Sequence, residues 1–244
     1  MKYTPDLPDT QKAIDWSASS FFDLEGFAHA ALFEGDLPVW TALKNVKQYL
    51  THSLRRGIHP GALVMDGAIL IGDDIQIGDG CVIEPGAFVR GPVLLGRGCE
   101  VRHGAYLRGD IVAGDGCVFG HASEFKNAIL LNGAKAAHFN YVGDSILGAR
   151  VNMGAGSKLS NVKMIHGNVS VSSREGRIDS GLRKFGAILG DDVEVGCNAV
   201  LNPGTILGPR CMVYPNASVR GCHGARSVLK LVQTLDSHQL RSES

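Results

Sequence analysis

An apolar residue at every sixth position is the strongest constraint on what this chain can become. Ile71, Ile77, Ile83, Val89, Leu95, Val101, Leu107, Ala113, Phe119, Phe125, Leu131 and Ala137 keep that spacing, and Leu189, Val195, Leu201, Leu207, Val213 and Val219 resume it. A period of six is neither the alternation of a lone strand nor the 3.6 of a helix. It is the signature of a parallel β-helix, in which each hexad supplies a short strand and a corner. Three hexads close a triangular coil of about 18 residues, and coils stack at the strand spacing of about 4.8 Å. The 32 glycines among 244 residues, about twice the usual share, suit the corners, where positive φ or close backbone approach is required. Cys81, Cys99 and Cys117 stand 18 residues apart and no C-x-x-C occurs, so these thiols are expected to stack inside one corner as small apolar groups.

The periodicity changes on either side of the coils. "LPVWTALKNVKQYLTHSL" places Pro38 in a first turn and Trp40, Leu43, Val46 and Leu50 on one helical face, and Asp23 is placed to cap a short helix through "LEGFAHAALF". Residues 1–57 are therefore expected to form a helical cap on the open N-terminal end of the stack. Residues 58–221 form the β-helix, with a loop inserted at 162–187. A C-terminal helix is expected over 222–244, on the spacing of Val228, Leu231, Val232 and Leu235. Within the insertion, "VKMIHGNVSV" reads as a hairpin about His166-Gly167-Asn168. Lys+Arg and Asp+Glu number 24 each, so no global field draws the chain to nucleic acid. No apolar run approaches the roughly 18 residues that cross a bilayer, and a cytoplasmic protein without membrane partners is expected.

Residues 18 apart lie above one another on such a prism, and Arg108 and Lys126 obey that rule. Two stacked cations suit a phosphate, one through its guanidinium fork and the other as a point charge; two solvated surface charges are the plain alternative. His138 follows Lys126 by two hexads and so belongs to another face. If the three share a site, neighbouring subunits must bring the two faces together. The six-residue phase also slips just after His138, since Ala137 and Leu147 are ten apart. A broken register beside "HFNY", residues 138–141, marks a place where the scaffold yields to function.

Residues 120–156, "GHASEFKNAILLNGAKAAHFNYVGDSILGARVNMGAG", resemble the acetyltransferase half of bifunctional N-acetylglucosamine-1-phosphate uridyltransferase/glucosamine-1-phosphate acetyltransferase. The likeness is dense in "K-A-x-H-x-x-Y-x-G-D" and "N-x-G-A-G" and extends, with one long insertion, over about residues 58–221. The resemblance implies an all-β fold, a left-handed parallel β-helix of hexapeptide repeats with short N- and C-terminal helical segments, assembled as a homotrimer. It implies acetyl-CoA as acyl donor, an amino-sugar-1-phosphate as acceptor and no metal. By the same likeness His138 is the general base, Glu124 a carboxylate near it and Asn161 a contact to the amino sugar. Arg108 and Lys126 fall on a phosphate-binding pair, Tyr141, Asn152 and Lys184 on the sugar-phosphate site, and Ala155, Cys197 and Pro215 along the acyl-CoA path. The chain departs from the family at Val162, Cys197 and Pro215, where tyrosine, serine and alanine are usual.

Two other readings stay open at this stage. One is a catalytically silent β-helix that binds sugar phosphate or partners a separate uridylyltransferase chain, motivated by the substituted acyl-CoA positions Cys197 and Pro215. The other is a metal hydrolase of the γ-carbonic-anhydrase type, for which His103 and His121 stack 18 apart although no two histidines stand five apart.

Overall fold

A strand of two or three residues cannot hold itself, so each hexad takes its backbone hydrogen bonds from the coils above and below. The computed structural model, which describes residues 15–33, 35–173, 176–234 and Asp236, is built on that rule. Parallel pairs such as Val82↔Glu100, Glu100↔Val118, Val118↔Lys135 and Lys135↔Asn152 build a nine-stranded ladder, the first face of a three-sided prism. The second face carries Phe88, Tyr106, Glu124, Tyr141 and Lys158 in register. The third carries Ile75, Val93, Ile111, Ala128 and Ser145. The all-β reading and the stacked parallel β-helix hold.

The prism interior is a continuous column of small aliphatic residues, with Phe119 and Phe125 crossing at 4.7 Å between ring centres. Cys81, Cys99 and Cys117 are free, fully buried and stacked in one inner corner. Their thiols donate to the carbonyls of Gly96, Gly114 and Leu131 respectively.

The six-residue phase slips twice, once within the expected stretch after His138 and once upstream of it. The inward series runs Phe119, Phe125, Leu130, Ala136, Val142, Leu147 and Met153, so five-residue steps fall at 125–130 and 142–147. Leu131 is instead buried on the outer side of the third face, and Ala137 is not an interior residue. In each five-residue step one strand, Glu124–Leu130 or Tyr141–Leu147, runs round the edge without a turn. It bends at a single left-handed residue, Asn127 (φ 45°) or Asp144 (φ 47°). Both residue types tolerate that conformation, and the second and third faces thereby fuse into one 15-stranded sheet.

The N-terminal segment lies along the third face, not over the end of the stack. Its α-helix, Ala42–Ser53, follows a 3₁₀ turn at Val39–Thr41 and buries Leu43, Val46 and Leu50. With Phe22, Phe27 and Trp40 these pack on Leu94, Val112, Ile129, Ile146, Ile188 and Ile206, the outward residues of that face. The flank offers a flat apolar surface several coils tall, whereas an end offers a single coil. Ile58, Leu63, Ile69 and Ile71, at the open end, stay 45–51% exposed. "LEGFAHAALF" forms turns and a 3₁₀ segment at Ala30–Leu32 instead of a helix capped by Asp23; residues 1–14 of the expected cap lie outside the described residues.

The insertion leaves the prism after Asn161. Its antiparallel hairpin pairs Ser170–Ser173 with Gly176–Asp179, further along the chain than expected. Val169 and Val171 are buried by their period of two and anchor that strand, with Phe185, against Trp40. Val162, Met164 and Ile165 have no such surface and stay exposed.

At the C-terminus the expected helix gives way to one more coil. Val228–Leu229 pair with Met212–Val213, because the open edge of the preceding coil offers Met212 and Tyr214 N–H groups to Ser227 and Leu229 carbonyls. Lys230–Thr234 continue without regular structure; Leu235 and residues 237–244 lie outside the described residues.

Candidate functional site

The edge between the first and second faces collects most of the residues that the sequence singles out. His103, His121 and His138 stand on three successive rungs. Continued upward through Lys135↔Asn152, Asn152↔Glu194 and Glu194↔Met212, the same register carries Ala155, Cys197 and Pro215 into the His138 column. Rungs are about 4.8 Å apart, so the candidate base and the three candidate acyl-CoA positions form one straight line along the prism.

Hydrogen bonding separates His138 from the two histidines below it. Nδ1 of His103 bonds the Pro85 carbonyl at 2.6 Å, and Nδ1 of His121 bonds the His103 carbonyl at 2.8 Å. The His138 imidazole is exposed and has no hydrogen bond with any described residue. Its backbone is fixed, with N–H donated to Asn140 Oδ1 at 3.0 Å and carbonyl accepting from Gly156 N–H at 3.0 Å. Phe139 turns the edge at φ 53°, 56% exposed, its ring against that of His121 at 5.1 Å. In the turn above, the N–H of Ala155 meets no acceptor among the described residues.

Round that edge the second face presents Glu124 and Tyr141, paired in register. Arg108 and Lys126 occupy successive rungs of the neighbouring column, as their spacing predicts. Each cation holds a carboxylate of this chain. Arg108 Nη1 bonds Glu124 Oε1, and Lys126 Nζ reaches both oxygens of Asp144 at 2.9 and 3.2 Å. Glu124 is therefore engaged by Arg108 and not by His138.

Asp144, which no 18-residue spacing of cations or histidines points to, is the carboxylate at the centre of this network. It is 4% exposed and accepts also from Asn127 Nδ2 at 3.0 Å and from Asn161 Nδ2. The available signal was the "GD" of "YVGDS", residues 141–145. Gly143 leaves the room that this network needs, since a Cβ there would come within 2.7 Å of both Tyr141 Oη and Asn161 Nδ2. Burial pushes the Tyr141 hydroxyl above its ordinary pKa, with the nearby charge of Glu124 adding to the rise. The bond to Glu124 holds the Arg108 guanidinium more firmly protonated than usual.

Two expected members lie apart. Asn152 is exposed on the first face, bonded to Glu194 Oε2 at 2.9 Å, and Lys184 is exposed on the insertion beside Phe185. Among the described residues no group of three His, Cys, Asp or Glu side chains is placed to hold a metal ion, and no helix is long and apolar enough to cross a membrane.

A family model described as the GMPPB C-terminal domain matches residues 89–210. The chain is 38% identical over 96 residues to a bifunctional sugar-1-phosphate nucleotidylyltransferase/acetyltransferase of Sulfurisphaera tokodaii, covering 39% of this chain and 24% of that protein. It is 32% identical over 168 residues to a bifunctional protein GlmU of Methanococcus maripaludis, covering 69% of this chain and 41% of that protein. The chain thus spans less than half the length of these curated relatives. A solved acetyltransferase domain of PglB from Neisseria gonorrhoeae, in complex with acetyl coenzyme A, aligns at 15% identity and a TM-score of 0.32, over 70% of this chain and 52% of that one.

Proposed function

The chain belongs to the GMPPB C-terminal domain family, whose model spans residues 89–210, and from that premise we propose that it transfers an acetyl group from acetyl-CoA to the amine of an amino-sugar-1-phosphate. The observation that carries this reading is the single column of His138, Ala155, Cys197 and Pro215, with Glu124 and Tyr141 round the same edge and Asn161 across the second face at Asp144. A thioester laid along the column would bring its carbonyl to Ala155 and its sulfur towards Cys197.

His138 takes a proton from the sugar ammonium or from the amine as it attacks. The exposed imidazole, with no hydrogen bond to any described residue, is open to that role, and a positioned base is commonly worth 10²–10⁴-fold. The amine adds to the thioester carbonyl, the Ala155 N–H stabilises the oxyanion that develops, and the tetrahedral intermediate collapses with expulsion of CoA thiolate. No covalent intermediate on the protein is needed. Arg108 and Lys126 hold the sugar phosphate, with Glu124 and Asp144 as their partners until it binds. Tyr141 and Asn161 orient the sugar ring. In a homotrimer the cations of one subunit would face the histidine column of the next.

The pairing of both cations with carboxylates favours a second reading. A chain that no longer acetylates, and serves as a silent β-helix for a separate uridylyltransferase, would have its phosphate pair closed in this way. Acetyl transfer from acetyl-CoA to glucosamine-1-phosphate separates the two. The proposal expects turnover by the native chain and a loss of about 10²–10⁴-fold in His138→Ala. Sugar-phosphate binding without transfer from any short acyl-CoA would overturn it in favour of the silent scaffold.

A further inference from the structure

One inner corner of the prism changes character where the candidate site stands. The residue at this corner is Ala87, Ala105, Ala199 and Ala217 in four coils, but Ser123, Asn140 and Ser157 in the three between. All seven are 5% exposed or less. Alanine satisfies the geometry of the corner, so folding alone does not call for polar atoms there, and buried polar atoms must each find a partner.

The partners that they find are the backbones on either side of the site. Asn140 N–H donates to Ser123 Oγ at 2.9 Å, and Ser123 Oγ bonds the His121 carbonyl at 3.3 Å. Asn140 Oδ1 accepts the N–H of His138 at 3.0 Å. Asn140 Nδ2 donates to the Gly154 carbonyl at 2.8 Å, to Ser157 Oγ at 3.0 Å and to the Ser157 carbonyl at 3.3 Å. Ser157 Oγ is itself bonded to the Gly154 carbonyl at 2.8 Å. One buried amide therefore ties the main chain at His138 to both ends of the turn Gly154–Ser157, which carries the Ala155 N–H.

We propose that Asn140 is a positioning residue for acyl transfer, the group that fixes the main chain of His138 relative to the Ala155 N–H one coil above. It touches neither substrate nor the reacting atoms. Through its acceptor it sets the base and through its donor it sets the turn, while Ser157 Oγ engages the side-chain amide and Ser123 Oγ takes the main-chain N–H of Asn140. The inference rests on the acyl-transfer reading for its purpose, while the structural link is testable without it.

Alanine already fills this corner in four coils, so Asn140→Ala and the triple change Ser123→Ala/Asn140→Ala/Ser157→Ala return it to the pattern of the rest of the prism and are expected to fold. Asn140→Asp keeps the acceptor for His138 N–H but replaces the donor with an oxygen facing the Gly154 and Ser157 carbonyls. Amide hydrogen exchange, followed per residue on native and variant chains, reads the link directly. In Asn140→Ala the amides of His138 and Gly156 should exchange at least tenfold faster, with those of Val101 and Leu207 unchanged. With acetyl-CoA and glucosamine-1-phosphate, kcat should fall about 10–100-fold in Asn140→Ala and in Asn140→Asp, with KM for the sugar phosphate within about twofold of native. Native exchange rates at His138 and Gly156 in Asn140→Ala would overturn the proposal, as would a native kcat in either variant. A native chain that shows no transfer at all would remove the acyl-transfer reading and with it the purpose assigned to Asn140, while the exchange rates would still decide whether the link exists.

Discussion

Lys126 and Asp144 face each other from consecutive rungs of the second face, Nζ lying 2.9 Å from one carboxylate oxygen and 3.2 Å from the other. The lysine side chain is 26% exposed and the aspartate 5%, so the pair presents its positive end to the surface and keeps its negative end inside. A phosphate arriving from solvent would meet the ammonium first. Were the lysine to turn outward to it, Asp144 would keep Asn127 and Asn161 as donors.

That asymmetry makes the two partners unequal under mutation. Lys126→Met leaves a nearly buried carboxylate with neutral donors only and should destabilise the chain by about 1–3 kcal/mol while abolishing sugar-phosphate binding. Asp144→Asn removes the buried charge and frees the ammonium, so phosphate affinity should hold or rise. Denaturant midpoints and isothermal titration with glucosamine-1-phosphate check the pair. Equal loss of binding in both variants would contradict this assignment.

Gly143→Ala tests the space beneath the same network. The added Cβ would lie 2.7 Å from Tyr141 Oη and from Asn161 Nδ2, and neither can retreat while both keep their bonds. Overpacking of this kind costs about 1–3 kcal/mol. Sugar-phosphate binding should fall at least tenfold, and a crystal structure of the variant should show Asn161 displaced from Asp144.

The thiols should divide sharply by place in the fold. Cys81, Cys99 and Cys117 are buried in the inner corner, and hydrogen bonding among neighbouring thiols, with burial, pushes Cys81 and Cys99 above the ordinary thiol range. Burial pushes Cys222 up to about 12. Cys197 is exposed in the His138 column. Iodoacetamide on the folded chain should therefore modify Cys197 first, since reactivity follows thiolate access, and CoA should slow that modification if it lies along the column. Peptide mass mapping after brief labelling reads both results.

Acid should loosen the attachment of the N-terminal segment to the flank. Burial holds the His29 imidazole below its ordinary pKa, and its Nδ1 sits 2.9 Å from the Tyr49 hydroxyl. A histidine whose folded pKa is depressed takes up its proton more readily when unfolded. Stability is then unaffected well above the ordinary value of about 6.5 and declines as pH falls below it towards the folded value. Melting temperature measured from pH 7.5 to 5 should fall more steeply in the native chain than in His29→Gln. Parallel slopes would show that His29 is not responsible.

Much of this was legible in the sequence, and the misses share a physical cause. The hexads disclosed the coils because each inward residue must be apolar whatever the face does. They misplaced Leu131 and Ala137 because the third face is covered on its outer side as well. Leu130 and Leu131 are both buried, in opposite directions, and a doubly covered strand loses its alternation. The column of Arg108 and Lys126 followed from spacing alone, whereas their carboxylate partners did not. Asp144 reaches Lys126 only because the coil is one residue short and the backbone bends at a left-handed aspartate. Asn140, the least conspicuous of the three polar residues after Ala137, is the best connected of them, since its partners Gly154 and Ser157 belong to the next coil.

Subunit complementation tests the shared-site arrangement directly. Within one chain His138 stands on one side of an edge, and Arg108 and Lys126 lie across the second face. Suppose that the histidine of one subunit works with the cations of its neighbour in a closed threefold ring. His138→Ala chains and Arg108→Ala/Lys126→Ala chains, each inactive alone, should then regain activity when unfolded together and refolded as hybrids. Random assembly gives each site an intact histidine half the time and intact cations half the time, so an equimolar mixture should recover about a quarter of native activity. Sedimentation velocity on the same samples should show a three-chain species. Hybrids that assemble but stay inactive would place the whole site within one chain, wrapped round the His138 edge.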